Sequence, residues 1–215
     1  YMGNKDIETI TAEIDFLTDG EDESYYRGWF DLERFKNHIQ ELFFKNDKDG
    51  FYSWNGLRYF LYEYELYLQD NANPKVGWED FSKRTKEDTI EHIYPQSATD
   101  MYWKDRFSHL KPTEKRVYLN SLGNLLLLSR SKNSKLQNYD FEKKKCLKNK
   151  DGKDIGYYNG SYSEIEVSKQ NEWTTETIKE RGLSMLQFME ERWKFKFKDW
   201  EIEKEEILCF ILKRN

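Results

Sequence analysis

The sequence predicts an α+β fold, mostly helical, with a small ββα centre embedded between N-terminal and C-terminal helices. Segments before residue 70 and after residue 174 place apolar residues at helical spacing, whereas two short segments near the middle favour strands. An aromatic content of 17% supplies side chains for a core in a chain of 215 residues. These observations favour one folded unit over a disordered chain.

The N-terminal part predicts two amphipathic helices. The first covers residues 31–45 and is ended by the turn-forming residues 46–50. Ser53 can cap the second, whose apolar stripe runs from Leu57 to Leu68. We expect residues 1–86 to form a helical connector or support region.

The central part predicts two strands followed by a helix. Residues 89–93 favour a strand that Pro95 stops, and residues 96–121 form an excursion with a short helix over 112–119. Gly123 and Asn124 supply turn chemistry before a fully buried strand over 125–128. Ser129 or Ser131 then caps a helix that runs towards residues 143–145, with an interruption near Asn138.

The C-terminal part predicts support for this centre. Residues 149–163 are rich in Gly, Asn and Tyr and indicate a flexible excursion or a hairpin. Thr174 or Thr175 begins a long helix, and a final helix covers residues 199–213. The predicted organisation is therefore support over 1–86, a ββα core over 87–148, and an excursion with packing helices over 149–215.

Composition excludes several classes of protein. The longest apolar run, residues 207–212, is far below a membrane span, and no signal-peptide pattern opens the chain, so we expect a cytoplasmic protein. Cys146 and Cys209 are isolated, which argues against a disulfide framework and against a zinc site built from two cysteine pairs. The opening Tyr1-Met2 suggests a fragment of a longer chain.

Charge is unevenly distributed along the chain. Residues 101–153 hold 14 Lys and Arg against 5 Asp and Glu, whereas the remainder holds 21 against 35. A local basic patch suits a phosphate backbone. The alternative is that Lys143, Lys144 and Lys145 form a solvated helix face.

Four polar residues form the candidate site for chemistry. Glu91 and His92 lie on the first strand, Asn124 lies at the entrance to the second, and Asn133 lies on the first turn of the following helix. A neutral imidazole can take a proton from water, and a hard divalent cation prefers oxygen ligands. Adjacent strand residues point to opposite faces, so Glu91 and His92 share a site only if the strand twists or bulges.

The run Glu91-His92-Ile93-Tyr94-Pro95, with Asn124 and Asn133 nine residues apart, resembles the HNH (ββα-metal) nuclease superfamily. The resemblance implies an HNH endonuclease that cuts double-stranded DNA with Mg²⁺, Mn²⁺ or another divalent cation. It implies His92 as general base, Asn124 as loop organiser, and Glu91 and Asn133 as metal ligands. Glutamate is a departure at position 91, where the superfamily often has Asp or His, so its reach to the metal is open.

The wider pattern is similar to the C-terminal HNH domain of GmrSD-type restriction and phage-defence proteins. It consists of Gly-Asn-Leu before the second strand, Asn138-x-x-Phe141-x-x-Lys144, and Trp173 followed by Ile178-x-x-Arg181. This resemblance implies a ParB-like, NTP-hydrolysing domain or subunit outside the chain. The cations expected to contact DNA are Arg130, Lys132, Lys135, Lys143 and Lys144.

Two other functions stay open from the sequence. A catalytically idle HNH scaffold would bind DNA or dock a partner without cutting. A nuclease acting on RNA ranks lower, because no aromatic platform for base stacking is legible. His38 is expected to be a core or helix-surface residue and His109 an exposed loop residue.

Overall fold

The computed structural model describes residues 32–45, 48–77, 88–197 and 200–210, and it confirms a mostly helical α+β fold. In chain order the elements are α1 (Leu32–Phe44), α2 (Leu57–Gln69), β1 (Asp88–His92), α3 (Met101–Phe107), α4 (Pro112–Leu119), β2 (Leu125–Ser129), α5 (Arg130–Leu136), α6 (Phe141–Cys146), α7 (Tyr162–Ser168), α8 (Thr175–Trp193) and α9 (Trp200–Ile207). Short 3₁₀ turns cover Gly50–Ser53, Leu122–Asn124 and Tyr157–Asn159. The domain boundary predicted between residues 86 and 87 lies outside the described residues.

The two strands form an antiparallel ribbon at the centre. Glu91 pairs with Leu126 and His92 with Leu125, in a register that is continuous from Asp88. The chain passes directly from β2 into α5, where the Ser129 hydroxyl accepts a hydrogen bond from the Lys132 N–H at 3.3 Å. The predicted order of strand, excursion, strand and helix is therefore observed.

The helix after β2 is divided, as its sequence predicts. Gln137 follows α5 with a φ of 47° and a ψ of −141°, a conformation that cannot continue the helix. A new helix, α6, begins when the Asp140 carboxylate accepts a hydrogen bond from the Lys143 N–H at 2.8 Å. The break lies beside Asn138, and it turns α6 onto a separate path.

Three elements differ from the expectation. The Asp100 side chain caps α3 by accepting from the Tyr102 N–H at 2.8 Å, in a stretch where only the helix at 112–119 was predicted. A capping box of Ser161 and Glu164 begins α7. This helix starts inside the stretch 149–163, which the sequence predicts as an excursion or hairpin, and continues past it. Both helices have seven residues, which is too short for a clear apolar period. The last helix ends at Ile207, before the predicted residue 213.

The two faces of β2 belong to two different cores. Leu125 packs with apolar side chains of α1, α2, α8 and α9, whereas Leu126 and Leu128 pack in a second cluster around Trp103, Phe141 and other buried side chains. Leu127 is the one partly exposed leucine of the strand and packs at the edge of the first cluster. The unbroken leucine run thus joins the supporting helices to the ββα unit.

A buried carboxylate fastens the N-terminal helices to the C-terminal region. Glu65 of α2 accepts hydrogen bonds from the N–H groups of Tyr162 and Ser163, both at 2.7 Å, at the first turn of α7. Tyr64 donates a hydrogen bond to Glu166 of the same helix at 2.7 Å. These contacts hold α2, and the turn that precedes it, in a fixed position beside the ββα unit.

Candidate active site

The predicted site residues Glu91, His92 and Asn133 line one cleft of about 260 Å³. The cleft lies across the end of β1, where both neighbouring residues line it although the strand register has no bulge. Asn133 approaches from α5. The full lining consists of Tyr52, Ile90, Glu91, His92, Pro95, Gln96, Asn133, Gln137 and Asn138.

The His92 imidazole is buried and neutral at neutral pH. Its residue exposure is 6%, and burial lowers its pKa to about 4; the nearby Lys144 ammonium adds to the effect, while a hydrogen bond to Asn120 opposes it. Nε2 lies 3.2 Å from Oδ1 of Asn120. The Tyr52 ring packs against the imidazole with 4.5 Å between ring centroids. Asn120 therefore holds the imidazole at its Nε2 edge, and Tyr52 holds it by ring packing.

Glu91 lines the cleft and pairs with an internal cation. Lys144 Nζ lies 2.7 Å from Oε1, and the Tyr157 hydroxyl donates to the same oxygen at 3.2 Å. Burial raises the pKa of Glu91 and lowers the pKa of Lys144, and the mutual attraction of the two charges opposes both shifts. Within the described part of the chain, no hydrogen bond to Oε2 is formed.

Asn124 is completely buried and joins three segments. Its Oδ1 accepts from the Tyr94 N–H at 2.8 Å and from the Trp173 indole N–H at 3.0 Å. Its Nδ2 donates to the Tyr94 carbonyl at 3.0 Å and to the Leu119 carbonyl at 2.8 Å. These four bonds use the full capacity of a carboxamide, so Asn124 acts on the loops and not in the cleft. Asn124 therefore supports the candidate catalytic residues by holding the loops around them.

The turn before Asn124 is held by α8. Arg181 Nη1 donates to the carbonyls of Gly123 and Leu125, both at 2.9 Å. A Cβ at Gly123 would lie 1.9 Å from the Ile178 carbonyl oxygen, so only glycine allows this approach of the two backbones. The Gly-Asn-Leu and Trp173–Arg181 patterns therefore meet at one loop, which accounts for their joint occurrence in the chain.

The cations expected to contact DNA do not share one environment. Arg130 and Lys135 are exposed on α5, and Lys143 is exposed on α6. Lys143 Nζ lies 3.5 Å from the centre of the Tyr139 ring, which holds its side chain along the surface. These three positions are accessible to a phosphate backbone.

Two other cations are internal. Lys132 is half-buried, forms an ion pair with Glu164, and donates to the Gly156 carbonyl at 3.0 Å. Lys144 is 0% exposed, and its ammonium donates to Glu91 and to the carbonyls of His92 and Ile93. The expectation that Lys144 contacts DNA is wrong, because a side chain with no exposed surface cannot reach a phosphate backbone.

The donor set of the cleft fits a hard divalent cation that keeps several waters. Glu91, Asn133, Gln96 and Asn138 bring carboxylate and carboxamide oxygens to the same space. Among the described residues, no group of three or more His, Cys, Asp and Glu side chains is placed to hold a metal. Mg²⁺ needs only one or two protein carboxylates or amides beside water and phosphate, so one carboxylate with one carboxamide meets its requirement.

Two residues that contact His92 could not be recognised from the sequence. Asn120 contacts His92 across 28 positions, and Tyr52 comes from the N-terminal helical part. Neither belongs to a recognisable motif spacing. Lys144 was part of a motif, but its partner Glu91 lies 53 positions away and could not be read from that motif.

Comparison with known families decides the classification. A family model described as the C-terminal domain of GmrSD restriction endonucleases matches residues 13–188, most of the chain. The chain belongs to this family. This membership supports a general role in restriction by endonucleases, a class of protein that acts on DNA. Neither a comparison with curated proteins nor one with solved structures found a match.

No helix of the described ranges combines the length and the apolar character that crossing a bilayer requires.

Proposed function

We propose that this GmrSD C-terminal domain is a metal-dependent DNA endonuclease of the HNH (ββα-metal) type, in which His92 activates the attacking water. The observation that carries the proposal is the single cleft that brings His92 together with Glu91 and Asn133. A neutral imidazole, a carboxylate and a carboxamide around one space form a set suited to phosphodiester hydrolysis.

His92 acts as the general base. Its burial keeps the imidazole unprotonated at neutral pH, so a ring nitrogen can take a proton from a water in the cleft. The water oxygen forms a bond to phosphorus, the bond from phosphorus to the leaving oxygen breaks, and that oxygen takes a proton from solvent. His92 returns its own proton to solvent before the next cycle.

Glu91 and Asn133 would hold the divalent cation, with Gln96 and Asn138 close enough to orient its waters. Bound there, Mg²⁺ or Mn²⁺ supplies charge neutralisation at the phosphoryl oxygens and the leaving oxygen. Lys144 holds Oε1 of Glu91, a residue that lines the cleft, and the second oxygen, Oε2, would be the metal ligand. The protein thereby fixes the carboxylate before any cation arrives.

The exposed cations Arg130, Lys135 and Lys143 would contact the DNA backbone. A single base in a single cleft cuts one strand, so we expect nicking, and a double-strand break requires two copies or two events. A ParB-like, NTP-hydrolysing domain or subunit outside the chain would select or regulate the substrate.

Cleavage of a supercoiled plasmid tests the proposal. The wild-type chain should nick it with Mg²⁺ or Mn²⁺, and EDTA should abolish nicking. His92→Ala should lower the rate by about 10²–10⁴-fold, as expected for loss of a general base. His109→Ala is the matched control, because His109 is an exposed histidine away from the cleft. Full metal-dependent nicking by His92→Ala would overturn the assignment.

A second candidate function is an idle scaffold that binds DNA without cutting it. The observation that favours it is the Lys144 ammonium on Glu91, which already neutralises the carboxylate. The two functions differ in a direct measurement. Tight binding of a DNA duplex without cleavage in Mg²⁺, Mn²⁺ and Ni²⁺ would favour the scaffold, and metal-dependent nicking would exclude it.

A further inference from the structure

Asn120 lies beside the imidazole of His92, and its orientation is determined by a second contact. Its Nδ2 donates a hydrogen bond to the main-chain carbonyl of Arg116 at 3.2 Å. A carbonyl oxygen can only accept, so the amide nitrogen must face Arg116 and the amide oxygen, Oδ1, must face His92. Oδ1 lies 3.2 Å from Nε2 of His92.

This orientation decides which imidazole nitrogen carries the hydrogen. Because Oδ1 can only accept, Nε2 must donate, and the hydrogen of the neutral ring therefore resides on Nε2. Nδ1 is then left with the free lone pair. Asn120 is 1% exposed, so water does not compete for this bond.

We propose that Asn120 is a positioning residue that sets the tautomer of His92, so that Nδ1 is the atom that takes the proton from water. This inference rests on the proposed nuclease function and deepens it. The Tyr52 ring packs against the face of the same imidazole. A contact with the face does not distinguish the two ring nitrogens, so the hydrogen bond to Asn120 is what distinguishes them.

The proton transfer is balanced at His92 and at the phosphate. Nδ1 gains the proton of the water, and the ring becomes an imidazolium with a hydrogen on each nitrogen. The water oxygen bonds to phosphorus as the bond to the leaving oxygen breaks. The Nε2–H bond to Oδ1 is kept throughout, and it becomes stronger once its donor is charged.

A purely structural role for Asn120 has to be separated from the positioning role. Asn120 ends α4, and its amide nitrogen ties that end to the preceding turn through Arg116. Asn120→Ala removes both this bond and the acceptor for His92. Asn120→Asp removes the donor to Arg116 and keeps an oxygen that accepts from Nε2. It also adds a negative charge beside the ring, so the two variants are compared by the tautomer of the neutral ring. The pair of variants therefore isolates the contact with His92.

The test is nitrogen NMR of ¹⁵N-histidine-labelled protein at mildly alkaline pH, where the imidazole is neutral. The signals of His92 are assigned by their loss in His92→Gln, which separates them from those of His38 and His109. We expect the wild-type ring and Asn120→Asp to show one tautomer with hydrogen on Nε2. In Asn120→Ala we expect a mixture of both tautomers and single-turnover nicking slower by about tenfold, the value of one hydrogen bond.

The outcomes decide the inference without depending on the proposed activity. Hydrogen on Nδ1 in the wild-type ring overturns it, and so does an unchanged tautomer in Asn120→Ala. If Asn120→Asp shows the same mixture as Asn120→Ala, the role of Asn120 is structural and the inference fails. If the wild-type chain does not nick DNA at all but shows the Nε2 tautomer, the proposed function fails while the positioning geometry stands.

Discussion

Lys144 and Glu91 form an ion pair behind the cleft, with 2.7 Å between Nζ and Oε1 and no exposed surface on the lysine side chain. The same ammonium donates to the carbonyls of His92 and Ile93 at 3.2 Å and 3.0 Å. All three of its hydrogens are therefore used. One cation on α6 fixes both a candidate metal ligand and the main chain of the candidate base.

Removing this cation should cost stability. Lys144→Met leaves Glu91 as an unpaired buried carboxylate, and we expect the free energy of unfolding to fall by about 3–5 kcal/mol. Urea unfolding of the purified variant measures the loss. Lys143→Met, one position earlier and exposed, should stay within about 0.5 kcal/mol of the wild type. Adding Glu91→Gln to Lys144→Met should recover part of the loss; no recovery would show that the ion pair is not its cause.

Gly123 should not tolerate a side chain. In Gly123→Ala the new methyl group would overlap the Ile178 carbonyl oxygen and the Gly182 nitrogen, so α8 must move away from the turn that carries Asn124. We expect a loss of about 3 kcal/mol in the free energy of unfolding, at the upper end for overpacking. Thermal and urea unfolding measure it.

Gly152→Ala is the comparison for this variant. Nothing lies within 4 Å of a Cβ at Gly152, but its φ of +77° is left-handed, so alanine there should cost about 1 kcal/mol from backbone strain alone. Equal losses in the two variants would mean that the contact with α8 is not what limits position 123.

His92 should make stability depend on pH. Its pKa is about 4 in the folded chain, against about 6.5 in the unfolded chain, chiefly because the ring is buried. Between these values the unfolded chain binds a proton that the folded chain does not, so stability falls as the pH is lowered through this window. The contribution of His92 to the free energy of unfolding is fully present above about pH 6.5. About 3 kcal/mol of it is lost by about pH 4.

Urea unfolding with EDTA present, at a series of pH values, measures this dependence. The difference between the wild type and His92→Gln isolates it, because the remaining titratable groups, Asp49 and Lys144 near the ring included, are common to both proteins. If the difference in free energy of unfolding between the two proteins stayed constant from about pH 4 to about pH 7, the imidazole would not be buried and neutral in the folded chain.

The sequence predicts the parts of this site that depend on short spacing. Strands β1 and β2 and the break near Asn138 follow from apolar runs and turn residues, which act locally. The common cleft of Glu91, His92 and Asn133 followed from the motif register. The partners Asn120 and Lys144 could not be assigned, because they meet the site only after the chain has folded across 28 and 53 positions. Helices α3 and α7 were missed because seven residues hold too few apolar positions to reveal a period.

Tyr52 shows how the supporting helices enter the site. It lies in the 3₁₀ turn Gly50–Ser53 before α2, is 38% exposed, and packs its ring on His92 while lining the cleft. The sequence predicted this region as a connector or support only. The ring contact gives it a part in holding the candidate base.

The Tyr52 ring, and not its hydroxyl, should matter for the site. Tyr52→Ala removes the contact with His92 and admits water to the imidazole face, whereas Tyr52→Phe keeps the contact. We expect a coupling free energy between positions 52 and 92 of about 0.5–1.5 kcal/mol, the usual value for a pair of packed rings. Urea unfolding of Tyr52→Ala, His92→Ala and the double variant measures it.

Tyr67→Ala removes another exposed tyrosine ring, on α2 and away from the cleft, and should show no coupling to His92. A coupling near zero for Tyr52, or one of equal size for Tyr67, would mean that the supporting helices only cover the ββα unit and do not restrain the base.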